Sequence, residues 1–452
     1  MKTHKSAFAT MHSPASLALT GLSELGLLQF CRQKFRLGVI GAMLAWALNS
    51  QGAEYAGWAV GMPSAAGLPT ILRSIDSGAS WTRQATNGQV VTMPMYGVTA
   101  VDPQTAWVVG ESDGYATIYH TTNGGLIWNR MGSAAQVPNV GLQKVATFGD
   151  NRIWAVGIGA ILHSRDGGAT WTNQVPAGYA TNQFQGIASP DGVNVWVTGN
   201  SVGGYATILR STNGGTSWIR QSGSTNDVQL LQRILDISAV NSNNAWAIGA
   251  DNPGANGWYV LSTTNGGVTW TQQSHGNYDG NGIHAVDAST IWAVTDNNTT
   301  WSTNGGATWN VTSSQPYTMG ISAVDAQQAW AVSAQMTGGI GAIQWTTNGG
   351  VTWASQTQVD GESIPALFTV SFASTPIGWP LLSVTQTSPL QATLSWPTNT
   401  AGFVLETTLV LPASTWMTVT NLPVIGSNSL FNVVLATTNA QQFFRLHLPK
   451  NE

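Results

Sequence analysis

Charge is what this chain has least of. Only 8% of its 452 residues are Asp, Glu, Lys or Arg, against about 25% in an average soluble protein. That scarcity argues against a coiled coil or a helical bundle laced by surface ion pairs. Basic residues number 16 and acidic ones 20, which argues against a nucleic-acid binder, whose affinity comes from Lys and Arg neutralising phosphates. Cysteine is nearly absent: the single one is Cys31, so a disulfide framework is excluded and the rest of the chain has no thiol nucleophile. Helical periodicity is missing beyond the first fifty residues. What the chain does have is Gly and Trp, 51 and 21 of them. A weakly charged chain that stays disordered also lacks aromatics. This one therefore folds, with a polar surface of Ser, Thr, Asn and Gln.

The first 53 residues read as a leader. A twelve-residue apolar run, LGVIGAMLAWAL at 37–48, follows Arg32, Lys34 and Arg36 and ends in small and polar residues. A basic flank, a 7–15-residue apolar core and a small-residue exit describe a secretory signal. The run is short for a transmembrane helix, which needs about 20 residues, so the competing reading, an uncleaved membrane anchor, is disfavoured. Cleavage near Ala53 leaves eleven basic and nineteen acidic residues, a net charge of −8. The expected location is secreted, periplasmic or cell-surface. The acidic balance argues against anionic membranes, and no membrane insertion is expected after leader removal.

Three motifs recur in phase from there on. The first is a turn: SIDSGASW (74–81), TTNGGLIW (121–128), SRDGGATW (164–171), STNGGTSW (211–218), TTNGGVTW (263–270), STNGGATW (302–309) and TTNGGVTW (346–353). Ahead of each turn runs an alternating strand around Trp58, Trp107, Trp154, Trp196, Trp246, Trp292 or Trp330. Ahead of that comes a short β-branched strand such as ISAVN at 237–241. Adding the strands that enter and leave the turn gives four strands per repeat of roughly 40–50 residues, the period of a β-propeller blade. The expected fold is all-β: a seven-bladed β-propeller over 54–380. The chain enters it on a second strand, and the missing first strand, VSFAS at 370–374, is expected to return and close the ring beside Trp58. Gly378 and Trp379 resemble a further second strand and read as a vestigial copy leading out. An eighth partial blade is the alternative.

Within the turn, Asp76, Asn123, Asp166, Asn213, Asn265, Asn304 and Asn348 hold the third position. An Asp or Asn there bonds nearby backbone amides, and Gly at the fifth accepts a positive φ. These seven residues are read as structural. The octapeptide resembles the Asp-box, or BNR repeat. The stretch 153–174 resembles a blade of the photosystem II stability/assembly factor family. That resemblance covers about three-quarters of the chain and implies a non-enzymatic scaffold that binds protein. Five of the seven turns carry Asn rather than Asp. The family's photosynthetic members are associated with a basic patch, whereas this chain is acidic, so a photosynthetic role does not follow.

Asp-boxes also occur in sialidases and other glycosidases. A sialidase-like site implies three Arg, a Tyr–Glu pair and an Asp. Of the eight Arg in the repeats, Arg73 and Arg210 precede a turn, while Arg83, Arg130 and Arg220 are expected on the rim. Glu111 with Asp251 or Asp296 is the best carboxylate set for a glycosidase, which needs two facing carboxylates about 5–10 Å apart. His120, His163, His275 and His284 lack ligand spacing, so neither metal nor cofactor is expected, and His120 and His163 read as surface strand residues. With the repeat positions assigned to structure, no catalytic residue is expected. Binding is placed on the face of variable loops, which carry Tyr96, Tyr115, Tyr179, Tyr205 and Trp258 among Asn, Gln and Gly. Aromatics of this kind anchor protein interfaces, so the expected partner is a protein or a glycan, bound by a monomer, with a glycoside hydrolase as the runner-up. Residues 385–452 read as a small β-sandwich-like module with Trp396, Phe403, Trp416, Phe431 and Phe444 as core.

Overall fold

The structure is a computed structural model that describes residues 55–84, 92–221, 233–250, 258–276, 279–312, 317–334 and 341–373 of the repeat region. Beyond it, residues 383–388, 391–397, 404–408, 417–421, 423–425, 430–436 and 443–447 are described. Among the described residues every regular element is a strand and there is no helix. The chain divides into two compact units, Glu54–Ile377 and a second that includes Gly378–Glu452.

In the repeat region the strands pair antiparallel into four-stranded units, and the described residues form seven of them. Unit 2 shows the plan: an inner strand Met95–Ala100, a second strand Ala106–Gly110, a third Thr117–Thr121 entering the turn, and an outer strand Asn129–Arg130 leaving it. Units 3 to 7 repeat it, with inner strands Leu142–Phe148, Phe184–Ala188, Arg233–Ala239, Gly280–Ala285 and Thr318–Ala323. Unit 1 is assembled from both ends of the region. Its second strand Gly57–Gly61 pairs with Leu367–Phe372, with Trp58 opposite Ser371. The returning strand therefore lies where the repeat phase placed it. Each inner strand packs against the next, and that of unit 7 packs against that of unit 1, which packs against that of unit 2, so the cycle closes. Residues 374–380, including Gly378 and Trp379, lie outside the described residues.

The turns explain why the repeat has the sequence it has. In all seven the Ser or Thr hydroxyl accepts the N–H of the Gly at the fifth position, the second Gly in six of the turns, at 2.7–3.0 Å. The Asp or Asn side chain accepts the N–H four residues on, at 2.8–3.0 Å. The amide captured is thus two residues further along than a simple Asx-turn would place it. The second Gly is required twice over. At Gly168 φ is +83°, and a Cβ would sit 2.7 Å from the ring of Trp107 in the preceding unit.

The Trp residues are the core. Trp58, Trp107, Trp154, Trp196, Trp246, Trp292 and Trp330 are all buried to 1% or less exposure. The turn Trp of one unit packs on the second-strand Trp of the unit before it: Trp171 meets Trp107 edge-on at 6.2–6.4 Å, as Trp353 meets Trp292. Five of the seven second-strand Trp are also covered from the third strand of their own unit by the residue directly opposite. Arg73 lies over Trp58 and Arg210 over Trp196, while His120, His163 and Trp301 stack on Trp107, Trp154 and Trp292. This corrects the surface reading of His120 and His163: both are buried, 8% and 3% exposed. The cover residues also tie units together, since Arg73 donates to the Pro103 carbonyl of unit 2 at 2.9 Å and Arg210 to the Ser242 carbonyl of unit 5 at 2.9 Å.

The second compact unit contains a four-stranded and a three-stranded antiparallel sheet. Ala392, Leu394, Leu405, Val433 and Phe444 are buried among its described residues. Of the core expected from sequence, Phe444 is buried as read; the side chains of Trp396, Phe403, Trp416 and Phe431 lie outside the described residues.

Candidate functional site

On each unit the loops joining second to third strand, and outer to next inner strand, share the face opposite the turns. The inner strands enter the ring from this face, and each one is bulged at the same place. The register slips at Tyr96, Gln143, Gln185, Leu235, Asn281, Met319 and Phe368. A bulge adds an unpaired residue and re-aims its side chain. Nothing in the sequence marks these positions individually, because a bulge is defined only by what the partner strand does.

Tyr96 shows the consequence. Its hydroxyl donates to Glu111 Oε2 at 3.1 Å, and its ring lies 5.4 Å from that of Phe368, the bulge residue of unit 1. Burial, reinforced by the Glu111 carboxylate, pushes the phenol up to about 12. Glu111 Oε1 accepts the Ser112 N–H at 3.0 Å. Asp296 stands on unit 6, where Asn281 donates to it at 2.9 Å. The structure therefore pairs Tyr96 with Glu111 but does not bring Asp296 to them: units 2 and 6 are separated by units 7 and 1. Asp251 and the side chain of Trp258 lie outside the described residues.

Below the bulges the inner strands are stapled to one another. Gly97, Gly186, Gly282 and Gly320 let neighbouring strands approach; a Cβ on Gly186 would lie 2.9 Å from Asp236 Cα. Across that glycine Lys144 of unit 3 reaches Asp236 of unit 5 at 3.0 Å. Asp236 also accepts the N–H groups of Ile237 and Ile283 at 3.0 and 3.2 Å. His284 lies beside this pair, its pKa lowered to about 4 by burial, with Asp236 opposing and Lys144 assisting. Sequence reasoning missed this cluster, since Lys144 and Asp236 are 92 residues apart. Its carboxylate is held by backbone amides of two units, so it serves as a staple.

Arg83, Arg130 and Arg220 do not point outward from the rim. The Arg83 side chain is only 4% exposed and donates to the Pro69 carbonyl at 3.2 Å. Arg130 donates to the Tyr115 carbonyl, and Arg220 to those of Val202 and Tyr205, at 2.7–3.2 Å. Each clamps the second-to-third loop of its own unit. Tyr115 and Tyr205 belong to that clamp: the Arg130 guanidinium lies 3.8 Å from the Tyr115 ring centre and Arg220 5.9 Å from that of Tyr205. Tyr179 packs at 6.4 Å from Phe184.

A cleft opens on this face between units 3 and 4. It encloses about 430 Å³ and is lined by Ile158, Gly178, Thr181, Asn182, Gln183 and Asn200–Val202. Its cause is a long hairpin. The second strand of unit 4 runs Val195–Val202 and the third Tyr205–Ser211. The hairpin outruns the inner strand, and at Asn200 it leans to pair with Arg233 of unit 5. The gap left toward unit 3 is floored by the Asn182 and Gln183 main chain, which holds Gly159 and Asn200 by 2.8 and 3.0 Å bonds. No charged side chain lines it. Tyr179 lies in the loop that forms one wall, and Tyr205 pairs with Val202 on the other.

A four-stranded unit repeated around a ring is a β-propeller, and this is the class the fold defines. No family model matches the chain, and no curated protein matches it. Solved structures do. A protein from Lactobacillus plantarum aligns at TM-score 0.52 and 9% identity over 71% of this chain and 99% of that one. A structure described as YCF48 bound to D1 peptide aligns at 0.47 and 16%, over 78% and 96%. A GH74 xyloglucanase from Xanthomonas campestris aligns at 0.47 and 12%, over 80% and 59%. At these identities the likeness is one of fold.

Proposed function

We infer that the protein is an exported, non-catalytic propeller scaffold, monomeric, that holds an uncharged segment of a partner protein on its variable-loop face. The observation that carries this reading is the open cleft between units 3 and 4. Its lining of side-chain amides, hydroxyls and two apolar residues, Ile158 and Val202, suits main-chain groups and neutral side chains rather than phosphates or a reacting carbonyl. Placing an indole in the cleft by Ser201→Trp should abolish capture on an array of neutral peptides and leave the unfolding midpoint unchanged. Undiminished capture would remove the cleft from the reading; capture by a glycan array alone would replace protein by glycan. Export is tested by the N-terminus of the exported protein, expected within a few residues of Ala53.

The hydrogen bond between Tyr96 and Glu111 favours one second reading, a glycoside hydrolase. A phenol raised to about 12 is a poor nucleophile at neutral pH, which is why this reading stands second. Turnover in a glycoside screen that is lost in Glu111→Gln would make it first.

A further inference from the structure

Five turns contain Asn followed by Gly, at 123, 213, 265, 304 and 348. In this sequence the Gly nitrogen attacks the Asn side-chain carbonyl carbon, because no Cβ hinders the approach, and Asn is accordingly among the thermolabile residues. A bond forms from Gly N to Asn Cγ, the bond from Cγ to Nδ2 breaks, and ammonia leaves with the proton from the Gly nitrogen. Water then opens the cyclic imide to aspartate or isoaspartate.

The fold restrains both reactants. In all five turns the attacking N–H is already donated to a carbonyl of the first-to-second-strand loop of the same unit: Gln104, Val193, Asn243, Ser289 or Gln327, at 2.8–3.0 Å. In all five the Asn Oδ1 holds the N–H four residues on. The leaving nitrogen is different. In four turns Nδ2 donates to a hydroxyl four residues on: Asn213 to Ser217, Asn265 to Thr269, Asn304 to Thr308 and Asn348 to Thr352, at 2.8–2.9 Å. In the fifth that position is Ile127, which has no hydroxyl to offer. The turn also tolerates the product. Asp76 and Asp166 occupy the same position in their own turns and accept the Ser80 and Thr170 hydroxyls at 2.6 and 2.5 Å.

We propose that Asn123 is a modification site, the one of the five turn asparagines at which the folded protein deamidates first. Exposure alone ranks it last, since Asn123 is half-buried while Asn213, Asn265, Asn304 and Asn348 are exposed, so the two accounts predict opposite orders. The intact chain is held folded in mildly alkaline buffer, and the five peptides are followed by mass spectrometry. One hydrogen bond's difference makes Asn123 about three- to tenfold faster than the other four. Ile127→Thr supplies the missing hydroxyl and brings Asn123 down to their rate, and Thr269→Val raises Asn265 toward it. In denaturant the five rates converge. An order that follows exposure in the folded chain overturns the proposal, as does an Asn123 rate indifferent to Ile127→Thr or an Asn265 rate indifferent to Thr269→Val.

Discussion

His163 shows how one residue serves both packing and pH response. Its ring lies flat on Trp154, 4.3 Å between centres and 6° between planes, and Gln174 bonds Nδ1 at 3.2 Å. Burial lowers its pKa to about 4, with Arg165 and Arg152 adding to the effect. The folded value lies below that of an unfolded histidine, so the unfolded chain takes up the proton first. Its contribution is complete above about pH 6.5 and is lost as the pH falls toward 4, an amount on the order of 2–3 kcal/mol. His163→Phe keeps a ring on Trp154 and removes the proton. The urea midpoint of the variant should therefore fall less than that of the parent between neutral pH and about pH 4; equal declines would show that this histidine is not a source of the acid sensitivity. The covering role of this position was not legible in the sequence. It depends on which third-strand residue stands opposite each second-strand Trp, and the hairpin that sets the register varies in length from unit to unit. Arg, His and Trp share the position in five units because each, in its own way, covers an indole face.

The turn is the element in which sequence and structure correspond most closely, because its pattern is local. An octapeptide with a hydroxyl, an Asp or Asn, a Gly and a Trp at fixed offsets contains every partner it needs. Two consequences can be measured. Thr263→Val removes the oxygen that accepts Gly267 N–H and donates to Asn265. Leaving that buried amide unpaired should cost about 1–3 kcal/mol in a denaturant titration. Gly168→Ala forces a Cβ onto Trp107 at a positive φ, and strain added to overpacking should cost about 2–4 kcal/mol. A loss below half a kilocalorie at Gly168 would mean that unit 3 can slide away from unit 2. The elements that were not legible are those whose partners are remote. The bulges at Tyr96 and its six counterparts, the arginine clamps and the Lys144–Asp236 staple all depend on a neighbouring strand or unit. The cleft is of the same kind. It arises because one hairpin, Val195–Ser211, has longer strands than its counterparts, 8 and 7 residues, and leans away from the unit before it, and the loop GNSVGGYA at 199–206 reads in sequence as one variable loop among several.

At the scale of the whole molecule the ring depends on a strand that arrives some three hundred residues after its partner. Leu367–Phe372 joins the Trp58 strand with one bulge, at Phe368, and its side chains complete the seam. Phe372 stacks on Trp330 of unit 7 at 3.6 Å and meets Trp81 edge-on at 5.7 Å. Ser371 accepts the Ala100 N–H of unit 2, and Phe372 N–H is held by Ser322 of unit 7, both at 3.0 Å. One strand thus binds three units, so its loss is not local. Closing so long a loop costs chain entropy, but that cost grows only with the logarithm of length, and the burial of Leu367, Val370 and Phe372 offsets it. Phe372→Ala removes the aromatic contact with both Trp residues and should destabilise by about 3–5 kcal/mol. A chain ending at Ala366 loses the strand outright, leaving Trp58 on an open edge with unpaired main-chain groups, the arrangement most prone to aggregate. It should unfold without a sharp transition and self-associate, whereas Phe372→Ala keeps one cooperative transition at a lower midpoint. A truncated chain that stayed monodisperse and melted at the parent's midpoint would show that units 1 to 7 are held by neighbour contacts alone, and closure would then be a consequence of the fold rather than a condition for it.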